Sequence, residues 1–157
     1  MLKIVTIPDP ILSNKTSLVK NFNQSLADLV SKMIETCRLA NGIGLAAPQI
    51  GKSIRLCIIN LEHQGLPAFA LVNPKIVKKS WKKVEMEEGC LSIPGIFGIV
   101  KRPAKITVEA LNLQGEKNKF EAAQIHIWKQ FAILWDLFVI LEFGQPFRLA
   151  QRRNDAR

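Results

Sequence analysis

The chain has 157 residues, 48% of them hydrophobic, and a formal net charge of +9. That length supports one compact domain with a core and is too short for two ordinary ones. The first ten residues are interrupted by Pro8, Asp9 and Pro10 before any apolar run reaches secretory length, which argues against export. Cys37, Cys57 and Cys90 are odd in number and share neither metal-knuckle nor disulfide-like spacing, so a reduced, cytoplasmic compartment is expected.

Residues 8–13 read as a proline-fixed turn, and Asn21 to Ser25 offer N-cap side chains for a helix. Leu26, Leu29, Val30, Met33, Ile34 and Cys37 then recur at i, i+3, i+4 and i+7, the apolar face of a helix over 24–40 that places Cys37 in the core. Asn41 and Gly42 would close it as a glycine cap does. From Ile54 the pattern changes to short β-rich runs at 55–60, 68–72, 75–81, 98–100 and 106–111, with turns at 64–67, 73–74, 94–95 and 112–115. Cys57 sits within such a run as a small hydrophobe, and His63 in a polar loop as solvated surface.

The positive charge favours long-range, salt-dependent approach to polyanions. Lys75, Lys78, Lys79, Lys82, Lys83, Lys101 and Lys105 nevertheless spread over strand-like segments without a recognised nucleic-acid motif. They read as a solvated surface, with no specific nucleic-acid site, and are compatible with weak attraction to the ribosome surface.

Residues 122–143 are strongly apolar and end at Gly144 and Pro146. Lys129, Asp136 and Glu142 divide them into runs far below the ~20 residues a spanning helix needs, so a buried helix is expected and not a membrane span. Residues 144–157 read as a basic, disordered tail, which leaves 1–143 as the domain.

Two segments carry candidate chemistry. Gly42-Ile-Gly-Leu-Ala-Ala-Pro-Gln49 follows a helix and precedes a strand, the reverse of a dinucleotide-binding loop. Its small residues admit close approach of main chain to a ligand, and an amide such as Gln49 can donate to a developing oxyanion. A tight turn in which Gln49 satisfies local backbone is the alternative from spacing alone. Glu88-Gly-Cys-Leu-Ser92 sets Cys90 where the backbone bends; a soft thiolate suits zinc or ferrous iron, although a single cysteine is equally a packing residue.

Together these segments closely resemble the first two signature motifs of the peptide deformylases, metal-dependent hydrolases that remove the formyl group from N-formyl-methionyl nascent chains. The resemblance implies an α+β fold, a single domain of mainly antiparallel strands around a central helix in the position of residues 122–143. It implies Cys90 as a ligand to a catalytic metal, usually Fe²⁺ and exchangeable with Ni²⁺, Co²⁺ or Zn²⁺. It further implies Gln49 and the backbone N–H of Leu91 as oxyanion donors, Ile43, Gly44 and Gly89 as backbone partners of an extended peptide, and Glu88 with Arg102 as a supporting ion pair.

The third signature of that family, His-Glu-x-x-His on a helix, would supply two imidazoles on one face and a glutamate for the proton of the attacking water. It occurs nowhere in the 157 residues, and His63 and His126 are the only histidines. Setting His126-Ile-Trp-Lys-Gln130 against it gives Ile for the glutamate and Gln for the second histidine. Asp136 could in principle supply an oxygen ligand, but an isolated Asp on an apolar helix reads as its polar face.

The resemblance ends near residue 121, and composition changes there: residues 1–121 hold 14 Lys and 3 Arg, residues 122–157 hold 1 Lys and 4 Arg. A frameshift near codon 122 accounts for both changes at one place. The expectation is a deformylase homologue with little or no hydrolytic activity, and the alternative is a non-catalytic binder of formylated or methionine-ended peptides. A metal-free thiol hydrolase using Cys90 ranks third, for want of an identifiable base.

Overall fold

The computed structural model describes residues 1–123. The expected helix over 122–143 and the tail over 144–157 therefore lie almost wholly outside the described residues. Ala122 and Ala123, however, are the last residues of a strand, so the helix does not begin at 122.

Among the described residues one α-helix, α1 (Gln24–Leu39), precedes seven strands: β1 (Gly44–Ala46), β2 (Leu56–Ile59), β3 (Phe69–Lys79), β4 (Lys83–Cys90), β5 (Ile93–Pro103), β6 (Lys105–Leu111) and β7 (Lys117–Ala123). A five-stranded sheet has the order β1-β2-β3-β6-β7, β4 and β5 form a separate hairpin, and every pairing between these strands is antiparallel. The fold is α+β, as the sequence indicated.

Helix α1 begins where Asn23 accepts the Leu26 N–H on its side-chain oxygen, satisfying one of the donors a helix start leaves open. Leu26, Val30, Met33 and Cys37 then pack on Leu45, Leu56, Ile58 and Val72 of the sheet. The residues between these on the strands point the other way: Ala46, Cys57, Ile59 and Leu71 join Ile106, Val108 and Ala110 in a second cluster on the opposite face. A sheet apolar on both faces explains why β2, Leu-Cys-Ile-Ile, shows no polar alternation. Burying each such Leu or Ile contributes about 1.5–3 kcal/mol.

The helix ends one residue earlier than expected, and the left-handed residue there is Asn41 (φ 51°), not Gly42, whose N–H donates to the Cys37 carbonyl at 2.8 Å. The two runs expected at 68–72 and 75–81 are one strand, β3, and Asn73-Pro74 is a bulge within it, not a turn. Proline is tolerated there because the register shift removes the need for its N–H. β1, β4 and β7 were not expected from the sequence, and β5 extends well beyond the expected 98–100. In β7, Phe120 is the one aromatic side chain, and it stacks on Phe69 at 6.1 Å between ring centroids.

The bulge has a function in packing. Asn73 adopts φ 51°, and its side chain accepts the Val19 N–H and donates to the Val19 carbonyl, both at 2.8 Å, tying the chain before α1 to the sheet. Replacing Asn73 by Ala removes both bonds and leaves in the left-handed region a residue without the short polar side chain that lets asparagine tolerate it, a loss of about 2–3 kcal/mol. Urea unfolding should show Asn73→Gly losing less than Asn73→Ala, since glycine keeps the backbone conformation; equal losses would show that the backbone angle contributes nothing.

Candidate functional site

Two segments far apart in sequence face each other across a cleft. One is the chain leaving α1 through β1 into a single 3₁₀ turn, Ala47–Ile50; the other is the end of β4, the Leu91-Ser92 turn and the start of β5. Between them lies a cavity of about 650 Å³, bordered by Gly42, Ile43, Gly44 and Gln49 on one side and by Glu88, Gly89, Cys90 and Leu91 with Ile93–Phe97 on the other. Every expected site residue except Arg102 lines it.

The two walls touch where glycine permits. A Cβ on Gly42 would lie 2.8 Å from Cδ1 of Leu91 and 3.0 Å from the Cys37 sulfur, so any side chain there would displace Leu91 from this wall-to-wall contact. The Gly42 carbonyl accepts from the Asn60 side chain at 3.1 Å and the Ile43 carbonyl from the Asn60 N–H at 3.0 Å. Those bonds hold the strand entry against the end of β2.

Gln49 is buried, and its amide is oriented by chemistry. The Ala46 N–H can only donate, so the Gln49 Oε1 faces it at 2.9 Å and the NH₂ group must point the other way. There Nε2 donates to Ser92 Oγ at 3.2 Å and lies 3.6 Å from the Cys90 sulfur. The side chain thus does both things the sequence left open: it satisfies local backbone and presents a donor into the cleft beside a thiol. Ser92, 2% exposed, was not singled out from sequence although it ends the second motif, and its hydroxyl is the partner that holds the Gln49 amide in the direction of Cys90.

Cys90 follows a register shift in the β4–β5 ladder between Gly89 and itself, which re-aims the residue at the strand end. Gly89 pairs with Phe97, and a Cβ on Gly89 would come within 2.8 Å of the Phe97 ring. The absent side chain at Gly89 therefore seats Phe97 as well as lining the cleft. One residue earlier, the Glu88 carboxylate is buried and accepts from Arg102 Nε at 3.3 Å and from a terminal guanidinium nitrogen at 3.1 Å. The expected ion pair is present, across the hairpin and out of solvent.

The N-terminal segment, which sequence reasoning passed over, bridges both walls. The Val5 N–H donates to the Gln49 carbonyl at 2.8 Å and the Ile7 N–H to the Ser92 carbonyl at 3.1 Å, while Ile4 lines the cavity. Backbone bonds of this kind leave no signature in side-chain identity, so no sequence pattern could have shown them.

The other thiols are structural. Burial, with a smaller contribution from the Glu62 carboxylate, pushes Cys37 up to about 12, and burial alone raises Cys57 further. Neither ionises near neutral pH, consistent with their core positions. His63 lies exposed in the short turn Glu62–Gln64, away from the residues that border the cavity. Its neighbour Glu62 is held in the charged form by Arg38, which lies beside it at the end of α1.

The donor set bears on the metal. Among the described residues no three His, Cys, Asp or Glu side chains come together as a metal site would require, and Cys90 is the one soft ligand bordering the cleft. His126 lies outside the described residues. A Cys90-centred site needs two further nitrogen ligands on one helix face, and with only His63 and His126 in the chain no such i, i+4 pair exists. The residues present do not fit the metal centre that the sequence resemblance implied. Among the described residues no imidazole borders the cavity.

Removing one partner of the Glu88–Arg102 pair strands a buried charge. Arg102→Ala should cost about 3–5 kcal/mol, whereas a double Glu88→Leu/Arg102→Leu variant should recover most of that loss. Denaturant midpoints of the two variants decide it; equal loss in both would mean that Arg102 acts through packing alone.

The sequence matches the family profile described as polypeptide deformylase over residues 1–133, a match that runs past residue 121, where resemblance to the motifs was expected to stop. Among relatives, the chain is 44% identical over 120 residues to the peptide deformylase of Natranaerobius thermophilus, covering 76% of each chain. It is 42% identical over 120 residues to peptide deformylase 1B, chloroplastic/mitochondrial, of Arabidopsis thaliana, covering 74% of this chain and 43% of that longer one. Of solved structures, the peptide deformylase of Thermotoga maritima superposes with a TM-score of 0.82 at 32% identity, covering 90% of this chain and 94% of that one. The Synechococcus elongatus peptide deformylase in complex with actinonin gives 0.85 at 31% identity, covering 96% and 80%. With its two walls, its glutamine and its cysteine arranged on this fold, the chain belongs to the peptide deformylase family.

Proposed function

We propose that this chain is a deformylase homologue whose cleft holds N-formyl-methionyl peptides and whose hydrolytic step is lost or severely impaired. Its family acts on formylated nascent peptides, which sets the substrate class. The observation that carries the reading is the contrast within one site: the Gln49 amide reaches both Cys90 and Ser92, while the sequence has no histidine pair at i, i+4 with a glutamate between.

Peptide binding follows from the main chain. β1 is an edge strand of the five-stranded sheet, and Ile43 and Gly44 border the cavity opposite Gly89. An extended peptide entering the slot would find backbone groups on both sides, the arrangement by which edge strands recognise peptides. The apolar cleft surface from Leu91, Ile93 and Ile96 would take a methionine side chain. The Gln49 amide would donate to the formyl oxygen, as it would to the oxyanion of a competent enzyme.

Hydrolysis needs more than a donor. A carbonyl attacked by water requires an activated nucleophile and a group to carry its proton, and nothing bordering the cleft among the described residues combines the two. A reading-frame change near codon 122 is our account of the loss, and translating the other two frames of the coding DNA checks it directly. Action in the cytoplasm, close to ribosomes, is the proposed setting.

The test pairs two measurements on the purified full chain. Formyl-Met-Ala-Ser hydrolysis should be undetectable or strongly reduced beside that of an intact relative, while calorimetric titration with the same peptide should show binding that Gly44→Val weakens at least tenfold. Turnover at rates matching the relative would overturn the loss of hydrolysis, and absence of binding would overturn the peptide cleft.

A further inference from the structure

At the far end of the β4–β5 hairpin from the cleft, the turn joining β3 to β4 reads Lys78-Lys79-Ser80-Trp81-Lys82-Lys83. Trp81 is 100% exposed. An indole gains more from burial than almost any side chain, so a partner that stacks on one held wholly in water gains correspondingly. The strand expected over 75–81 ends at Lys79, which leaves Trp81 in the turn.

The turn is braced. The Ser80 N–H donates to the Lys105 carbonyl at 2.8 Å, Ser80 Oγ accepts the Lys105 N–H at 2.9 Å, and the same hydroxyl donates to the Lys82 carbonyl at 2.9 Å. The Ala104 N–H reaches the Lys82 carbonyl at 2.6 Å as well. These bonds lock the β3–β4 turn to the β5–β6 turn and bring Lys105 beside the platform. A braced backbone lowers the ordering cost when a partner docks on the turn.

Charge surrounds the indole. Lys101 and Lys119 are each paired with a glutamate, at 3.4 and 3.5 Å, but among the described residues Lys78, Lys82, Lys83 and Lys105 carry no ion pair and all four are exposed. No acidic residue lies between Lys75 and Lys83. A lone aromatic flanked by unpaired ammonium groups is what single-stranded nucleic acid meets on sequence-tolerant platforms: a base stacks on the ring and its phosphates pair with the lysines.

We propose that the Trp81 turn is a docking surface for single-stranded RNA, the indole stacking on an unpaired base and Lys78, Lys82, Lys83 and Lys105 neutralising phosphates on either side. An anionic membrane is the other polyanion with an affinity for tryptophan and lysine, but insertion needs neighbouring apolar surface, and Trp81 is flanked by Ser80 and lysines. The exposed Ile96 and Phe97 lie toward the opposite end of the hairpin, where Gly89 pairs with Phe97. Seven residue steps of β4 separate Lys83 from Cys90, roughly 24 Å of strand, so RNA held at the turn leaves the cleft open. The inference stands whether or not the cleft binds formylated peptide.

Fluorescence anisotropy of a fluorescein-labelled twelve-nucleotide oligouridylate with the full chain tests it, at 50 to 200 mM salt. Trp81→Ala should weaken binding roughly five- to hundredfold, the range for loss of one stacked base, while Trp81→Phe should retain most of it. Lys82→Gln/Lys83→Gln should flatten the slope of log K against log salt by about 1.4, or ~0.7 per lost phosphate contact. Circular dichroism of each variant confirms an intact fold. Unchanged affinity in both the Trp81→Ala and the double lysine variant would place any RNA binding elsewhere in the chain and overturn the proposal. So would absence of RNA binding, or binding to phosphatidylserine vesicles without binding to the oligouridylate.

Discussion

The carboxamide of Gln49 reaches both walls of the cleft, and the site depends on its being held. Its oxygen is committed to the Ala46 N–H and its nitrogen to Ser92, so it cannot rotate without stranding a buried polar group at a cost of about 1–3 kcal/mol. Its own backbone carbonyl receives Val5, and the Ser92 carbonyl receives Ile7. One side-chain bond, from Gln49 to Ser92, and two main-chain bonds therefore join segments more than forty residues apart, while the Ala46 bond fixes the amide locally. Once they are made, Cys90 stands 3.6 Å from a fixed donor. The preorganisation that an oxyanion site requires is built into the fold before any substrate arrives.

The surrounding structure keeps that arrangement in register. α1 covers one face of the five-stranded sheet through Met33 and Cys37, and the end of α1 delivers the chain directly to Gly42. The hairpin is fastened by Glu88 and Arg102, a pair with little access to water that fixes β4 against β5 two residues before Cys90. At Gly42 and Gly89 a side chain would require its neighbour to move, Leu91 at one and Phe97 at the other. Close approach, not flexibility, is what both glycines provide.

Much of this was legible in the sequence, for reasons that can be named. The spacing of Leu26, Val30, Met33 and Cys37 gave α1 to within a residue, because a helix face buried on a sheet leaves a strong period. β2 and β6 were visible as β-branched runs. The strand β4 was not, since Lys-Val-Glu-Met-Glu-Glu-Gly-Cys carries charge at nearly every second position and earns its place only through pairing with β5 and the burial of Glu88. Asn73-Pro74 looked like a turn because those residue types make turns; a bulge uses the same conformations inside a strand. Of the site, the motif residues were readable through family resemblance, and spacing alone left Gln49 and Cys90 undecided. Ser92 and the Val5 and Ile7 bonds required coordinates, and Trp81 required a measure of exposure.

Among the described residues the cleft holds Gln49, Cys90 and Ser92 together, and the 157-residue sequence contains no His-Glu-x-x-His. Cys90 is a single thiolate ligand, and one such ligand with water and scattered carboxylates forms a weak site compared with a thiolate and two imidazoles. Titration of metal-free, reduced protein with Co²⁺, followed by gel filtration and metal analysis of the protein fraction, tests this directly. The account predicts that well under one equivalent stays with the protein. Retention of a full equivalent, lost on Cys90→Ser substitution, would contradict it and show that the chain builds a metal site without the histidine pair.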